Sequence, residues 1–265
     1  MSELVISELN VYPVKSLRQI ALDSSQVEAF GLQHDRRWMI VDKDGQMITQ
    51  RQKPRMCLVQ PTLLENGIKL SVNSKEDISV GIPVSVNKQT VSVWNDRCQA
   101  FDAGDNIAQW LTDFLSVDCR LVYFPGNEFR QVDLDYAKKG DRTAFSDGFP
   151  LLMTSQASLD DLNQRLEDPV PMKRFRPNLV VDGCDAFAED KWKKLRIGNI
   201  IFRVVKPCSR CIIPNINIDT AEKSNEPAKT LATYRKKDNN IYFGQNVIAE
   251  NEGELAVGMP VEIIK

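Results

Sequence analysis

Short stretches in which apolar and polar residues alternate recur along this chain, and they constrain its fold more than any other feature. In the first hundred residues they read "LVISELNVYPV", "RRWMIV", "GIKLSV" and "QTVSVW". Each has the period of two, or the β-branched and aromatic content, of a strand. Asp42 to Gly45, "DKDG", suits a hairpin turn, because Asp-Gly tolerates the positive φ such turns need. Strand character returns in "NLVVDG" and in "KLRIGNIIFRVV", where Gly198-Asn199 marks another hairpin, and again in "NVIAE" and "PVEIIK". Frequent short strands between tight turns point to a barrel or sandwich and away from a parallel α/β sheet.

Three segments change period. In "GDNIAQWLTDFLSVD", Ile107, Trp110, Leu111, Phe114 and Leu115 fall at i, i+3, i+4, i+7 and i+8, which predicts an amphipathic helix capped by Asp105. In "TSQASLDDLNQRLEDP", Ser155 or Ser158 caps a second helix lined by Leu159, Leu162 and Leu166, with Pro169 past its end. A shorter one is expected around "EPAKTLATYRK", with Pro227 in its first turn. Between Pro125 and Asp147 the chain is polar and charged and reads as a long surface loop or domain connection. The expected fold class is therefore mainly β with a few helices (α+β), in two units at 1–125 and 126–265.

Composition excludes several functions. A net charge of -2 gives no nucleic-acid footprint. No apolar run reaches the roughly 18 residues of a membrane span. "MSELVISELNVYPV" lacks a basic n-region and a continuous apolar h-region, so a cytoplasmic protein without a membrane anchor is expected. There is no Walker or G-x-G-x-x-G pattern. The single histidine, His34, rules out a Cys2His2 zinc site and an H-E-x-x-H metalloprotease, and reads as a surface or turn residue.

Six cysteines stand at 57, 98, 119, 184, 208 and 211, and only Cys208 and Cys211 form a C-x-x-C pair. Structural zinc needs four ligands, and here one C-x-x-C unit has no histidine downstream. A thioredoxin-type pair sits at a helix N-terminus, whereas "IIPNINID" after Cys211 reads as strand or loop. A buried structural pair stays open, but Arg210 argues against total burial, since a cation beside a thiol favours the thiolate that binds soft metals or attacks electrophiles. One thiolate on a metal already held by an organic cofactor would need no histidine. That arrangement fits the inventory, though composition alone does not select it.

Taken in order, "VYPVKSLR", "DRRWMIVD", "TQRQKPRM", "FSDGFPLLMTSQASLDDLN", "FRPNLVVDGCDAFAEDKW", "PCSRCIIPNINIDT", "YRKKDNNIYFGQN" and "VGMP" span nearly the whole chain. In this order the chain resembles the MOSC family, in the YcbX-like branch that includes the mitochondrial amidoxime-reducing component. The resemblance implies two β-barrel-like domains, an N-terminal MOSC-associated one (1–125) and a C-terminal MOSC one (126–265), with a molybdenum cofactor (molybdopterin) between them. It implies Cys211 as the metal's thiolate ligand, with Cys208 accessory. By the same analogy Lys15, Ser16 and Arg36 would bind the cofactor from the N-terminal domain. Arg176, Asn178, Ser209 and Arg210 would bind it from the C-terminal one, and Asp147 would lie near metal and pterin, assisting proton delivery.

Arginine forks and lysines suit the cofactor's phosphate. Lys15 and Arg176 sit inside apolar sequence, "VYPVKS" and "FRPNLVV", so their charged heads must find something polar. Neighbouring strand positions face opposite ways, so Arg36 is kept as a ligand residue and Arg37 is not.

The family likeness implies reduction of a small-molecule substrate, an N-hydroxylated compound such as an amidoxime, hydroxylamine or N-hydroxylated base. The C-x4-C-x2-C motif of a C-terminal ferredoxin domain and the membrane-targeting N-terminus of the mitochondrial relatives are missing from this sequence. Electrons are therefore expected from a separate electron-transfer protein, either ferredoxin-like or a flavin- or haem-containing reductase. The rival readings are a sulfur or metal–sulfur carrier with a persulfide on Cys211, and a paralogue that keeps the fold without chemistry.

Overall fold

The alternation in Val5–Val11 becomes a strand that pairs with Leu179–Asp182, far away in sequence. Both belong to a nine-stranded sheet in the computed structural model, which describes residues 3–84 and 88–264. Met1, Ser2 and Lys265 of the termini quoted above therefore lie outside the described residues. The sheet runs Val261–Ile263, Lys194–Ile197, Ile200–Ser209, Asn240–Ala249, Leu151–Ser155, Leu179–Asp182, Val5–Val11, Ile20–Leu22, with Lys236–Lys237 paired on the fourth strand. Backbone bonds from Val261 N to Leu4 O (2.8 Å) and from Gly258 N to Ile6 O (2.8 Å) bring the first-named end back to Val5–Val11, so the sheet curls on itself. Thus one sheet contains strands from both sides of residue 125.

The alternation sorts side chains between two cores. Leu179 and Val181 point into a cluster with Ile6, Leu9, Met153, Phe202 and Val247, inside the curl. Val180 points the other way, to Phe175, Phe243, Leu159 and Leu162. With both faces covered, the segment reads "LVV" without polar interruption, as a doubly buried strand should. Leu151–Ser155 and Leu179–Asp182 are parallel, and the connection between them carries a helix, as parallel neighbours require.

A four-stranded sheet orders Trp38–Val41, Arg120–Tyr123, Asp96–Asp102 and Lys88–Val93. Trp38 and Ile40 pack with Ile68 and Leu70 against the first helix, α1 (Asp105–Leu115). Met39 and Val41 pack on the opposite side with Val91, Val93, Phe124 and Phe145. Two three-stranded sheets complete the set among the described residues. No helix there is long and apolar enough to cross a membrane.

Two helix boundaries differ from the sequence expectation. Asp105 is the first helical residue; Gly104 precedes it at φ +95°, and Asp102 Oδ1 accepts from Gly104 N at 2.7 Å, so the turn is anchored one step earlier. The second helix, α2 (Gln156–Asn163), starts as expected, with the Ser155 side chain accepting from Ser158 N. It stops before Leu166 because the Asn163 amide clips Val170 at both N–H (2.9 Å) and C=O (3.0 Å). The third helix, α3 (Ala228–Ala232), follows Pro227. The segment Pro125–Asp147 holds no strand or helix, and His34 lies in a turn at φ +68°.

Candidate functional site

Several loops, at Lys15–Ser16, Arg36, Arg51, Ser146–Phe149, Phe175–Asn178 and Cys208–Cys211, converge on one open cleft. All nine residues assigned from sequence line it: Lys15, Ser16, Arg36, Asp147, Arg176, Asn178, Ser209, Arg210 and Cys211. Ser16 (φ +69°), Arg36 (+48°) and Arg176 (+59°) have left-handed backbones, a conformation uncommon outside glycine and concentrated at functional sites. Arg36 thus belongs to a turn, and strand alternation is not what separates it from Arg37. The backbone turns Arg37 away, where its guanidinium bonds to Phe124 O (2.7 Å).

Tyr12 organises two of the cations. Its buried ring lies under Arg36 Cζ at 4.6 Å and Arg176 Cζ at 4.2 Å. Burial raises the Tyr12 hydroxyl well above its usual range, so the ring stays a neutral platform. Arg36 also pairs with buried Asp35. Burial works against its charge, but Asp35 and Tyr12 outweigh that and raise its pKa. Arg176, by contrast, is pushed down to about 10 by burial and by neighbouring Arg36, although Tyr12 opposes the shift. It bonds to Leu17 O at 2.7 Å. Asn178 is fully buried, and its amide accepts from Arg36 (3.1 Å) and Leu152 N (3.2 Å) and donates to Asn10 O (3.1 Å). Its internal bonds make it a holder of Arg36.

Lys15 lies opposite. Its Nζ donates to Asp147 Oδ1 (2.5 Å) and Phe145 O (2.7 Å), and its side chain is only 6% exposed. Burial pushes the ammonium down to about 8, with Asp147 resisting. Burial would raise the Asp147 carboxyl, but Lys15, Arg51 and Arg36 prevail and hold it well below the usual carboxylate range. Asp147 is 55% open to the cleft, so solvent screens part of these interactions. Buried Arg130 fixes this loop from behind, donating to Ala144 O (2.8 Å), Ser146 O (2.6 Å) and Asp96 (2.7 Å).

The cysteines stand at the end of Ile200–Ser209 and just beyond it, followed by a single 3-10 turn (Ile213–Asn215), so no α-helix faces them. Both thiols are free. Arg210 donates to Cys208 Sγ (3.1 Å) and Phe175 O (2.6 Å), and its buried Nε has no partner. Sequence assignment missed Arg51, which donates to Cys211 Sγ (3.2 Å) and to Asp147 (3.4 Å), with its Cζ 4.7 Å from the Trp94 ring centre. Its signal was present in the quoted block "TQRQKPRM".

The donor set fits an anionic, metal-bearing organic cofactor. Among the described residues no group of three or more His, Cys, Asp or Glu could hold a metal alone. A metal at Cys211 would have to arrive with most of its own ligands. Five cations face the cleft (Lys15, Arg36, Arg51, Arg176 and Arg210), against the carboxylate of Asp147. The orphaned Nε of Arg210 is a donor in want of an acceptor.

This architecture is that of a MOSC protein. A model of the MOSC N-terminal beta barrel domain matches residues 3–118, and one of the MOSC domain matches residues 140–262. The chain belongs to the MOSC family. Within it, the chain is similar over nearly its whole length to mitochondrial amidoxime-reducing components. It is 37% identical to component 1 of Homo sapiens (98% of this chain, 82% of that one). For component 1 of Mus musculus the identity is 34% (98% and 82%), and for component 2 of Bos taurus 36% (97% and 82%).

Proposed function

We propose that this chain is a molybdenum-cofactor-dependent oxidoreductase that reduces N-hydroxylated compounds with electrons from a separate redox protein. One observation carries the reading: the free thiols of Cys208 and Cys211 line the same cleft as five cationic side chains drawn from both halves of the chain, and Cys211 is the one that the family likeness makes the metal's ligand. The names of the relatives, amidoxime-reducing components, support the substrate class.

Cys211 would ligate the metal, and Arg36, Arg176 and Arg210 would hold the phosphate. Bound there, the cofactor supplies the two-electron chemistry that removes the N-linked oxygen. Ser16 and Ser209 line the cleft as further hydrogen-bonding groups. Removing that oxygen as water consumes two protons as well as two electrons. Asp147 is a poor store for a proton at neutral pH, because its neighbours keep it ionised. One of the two protons would come from Lys15, whose ammonium burial pushes down to about 8, leaving Nζ through Asp147 Oδ1 at 2.5 Å, and the other from solvent in the open cleft.

The test is reduction of an amidoxime by the purified, cofactor-loaded chain with a chemically reduced dye as donor. Turnover in the wild type that is lost in Cys211→Ala and weakened in Arg176→Ala supports the reading. Turnover unchanged in Cys211→Ala overturns it.

A further inference from the structure

The cleft does not end at Cys211. Past Asp147, Cys208 and Ser209 it continues into a second recess whose walls include Trp94, Phe149 and Pro207. The two parts share Asp147 but differ in character. The inner part is crowded with cations. In the outer one, buried Arg130 is committed to Asp96 and backbone carbonyls, and Lys206 Nζ rests 4.0 Å from the centre of the Tyr136 ring. That leaves aromatic surface and the exposed carboxylates of Asp133 and Asp147 facing the opening.

Trp94 is the unusual member. It sits between the strands Lys88–Val93 and Asp96–Asp102, at φ +56°, in a left-handed turn position that glycine or asparagine normally takes. It is 48% exposed, whereas Trp38, Trp110 and Trp192 are buried. Its Nε1 donates to Asp147 Oδ1 at 3.2 Å, and Arg51 stacks on it. A bulky, exposed indole held in a strained turn beside the reacting groups has no packing role to explain it.

We propose that the outer recess is the substrate-docking site and that Trp94 selects the substrate. Its indole stacks on the planar amidine or guanidine carrying the N–OH, while Asp147 accepts a hydrogen bond from the substrate's N–H. Neutral or cationic planar groups enter, and planar anions are rejected. This rests on the reductase reading for the identity of the substrate, but not for the existence of the recess.

The test uses the purified full chain with its metal content recorded. Benzamidine is titrated as the planar cation and benzoate as its anionic counterpart, both followed by tryptophan emission and calorimetry. Benzamidine should quench emission saturably, because Trp94 is the exposed indole, and benzoate should bind at least about tenfold more weakly. Trp94→Gly, which suits the left-handed turn, should weaken calorimetric benzamidine binding about tenfold, while Trp94→Phe should hold it within about threefold. In the loaded enzyme Trp94→Gly should raise KM for an amidoxime with little change in kcat. Unsaturable quenching, equal binding of benzoate, or Trp94→Gly binding benzamidine like wild type overturns the proposal. Benzamidine binding at Trp94 in a cofactor-loaded chain that turns over no amidoxime would keep the recess and discard the reductase reading. Amidoxime turnover with an unchanged KM in Trp94→Gly would keep the reductase and discard the recess.

Discussion

Replacing Lys15 with methionine keeps the buried stem and removes the titrating head, which makes the cost of the buried ammonium measurable. Burial lowers the Lys15 pKa from 10.5 to about 8, and at 6% side-chain exposure little solvent screens the effect. The unfolded chain therefore binds this proton more tightly than the folded one. The contribution to stability is fully present above 10.5 and is lost as pH falls through about 8. One step on the pKa scale is about 1.4 kcal/mol, so the whole interval amounts to about 3 kcal/mol. With an m-value of about 3 kcal/mol/M in urea, that is a midpoint difference of about 1 M. The assay is urea unfolding of cofactor-free wild type and Lys15→Met at several pH values from neutral to strongly alkaline. Titrating groups that do not touch Lys15 are common to both proteins and cancel in the difference. Wild type should gain on the variant as pH rises. A difference that stays constant, or moves the other way, would refute the buried, depressed lysine and with it the proton store beside Asp147.

Arg130→Ala should destabilise the chain by about 3 kcal/mol or more, since it strands the buried carbonyls of Ala144 and Ser146; thermal melts would show it. The same change should loosen the loop that presents Asp147, seen as faster hydrogen exchange at Phe145 N, which bonds to Arg36 O. Gly244→Ala should cost at least about 2 kcal/mol, because φ is +82° and the new Cβ would meet Thr154 Cγ2 at 2.7 Å and Met153 O at 2.8 Å. Arg210→Lys cannot reproduce the fork that reaches both Phe175 O and Cys208, so pterin retention should fall about tenfold, read as pterin released per protein after dialysis.

Much of the fold was legible because the period-2 segments named their own strands: "LVISELNVYPV", "RRWMIV" and "KLRIGNIIFRVV" all form where the pattern lies. Period alone says nothing of partners. The pairing of Val5–Val11 with Leu179–Asp182 joins segments from the two halves of the chain, and the shared core of Ile6, Leu9, Leu179 and Val181 selects it. Strands such as Ser24–Glu28 and Lys75–Gly81 were not singled out, because they lie at the surface and carry few apolar residues.

The site was legible through family likeness more than through spacing, and its nine residues do line one cleft. Arg51 and Trp94 escaped notice because a loop arginine and a strand-end tryptophan look ordinary until the backbone brings them to Asp147 and Cys211. Asn178 lines the cleft and also bonds to Arg36, Leu152 and Asn10, contacts that only the three-dimensional structure discloses.

The most direct measurement is metal and pterin content of wild type and Cys211→Ala, each purified from a host that makes molybdenum cofactor. Near-stoichiometric molybdenum and pterin are expected in wild type, with the metal lost or inert towards an amidoxime in the variant. Wild type carrying neither molybdenum nor pterin, or labile sulfur on Cys211 without metal, would contradict the molybdenum-cofactor reading.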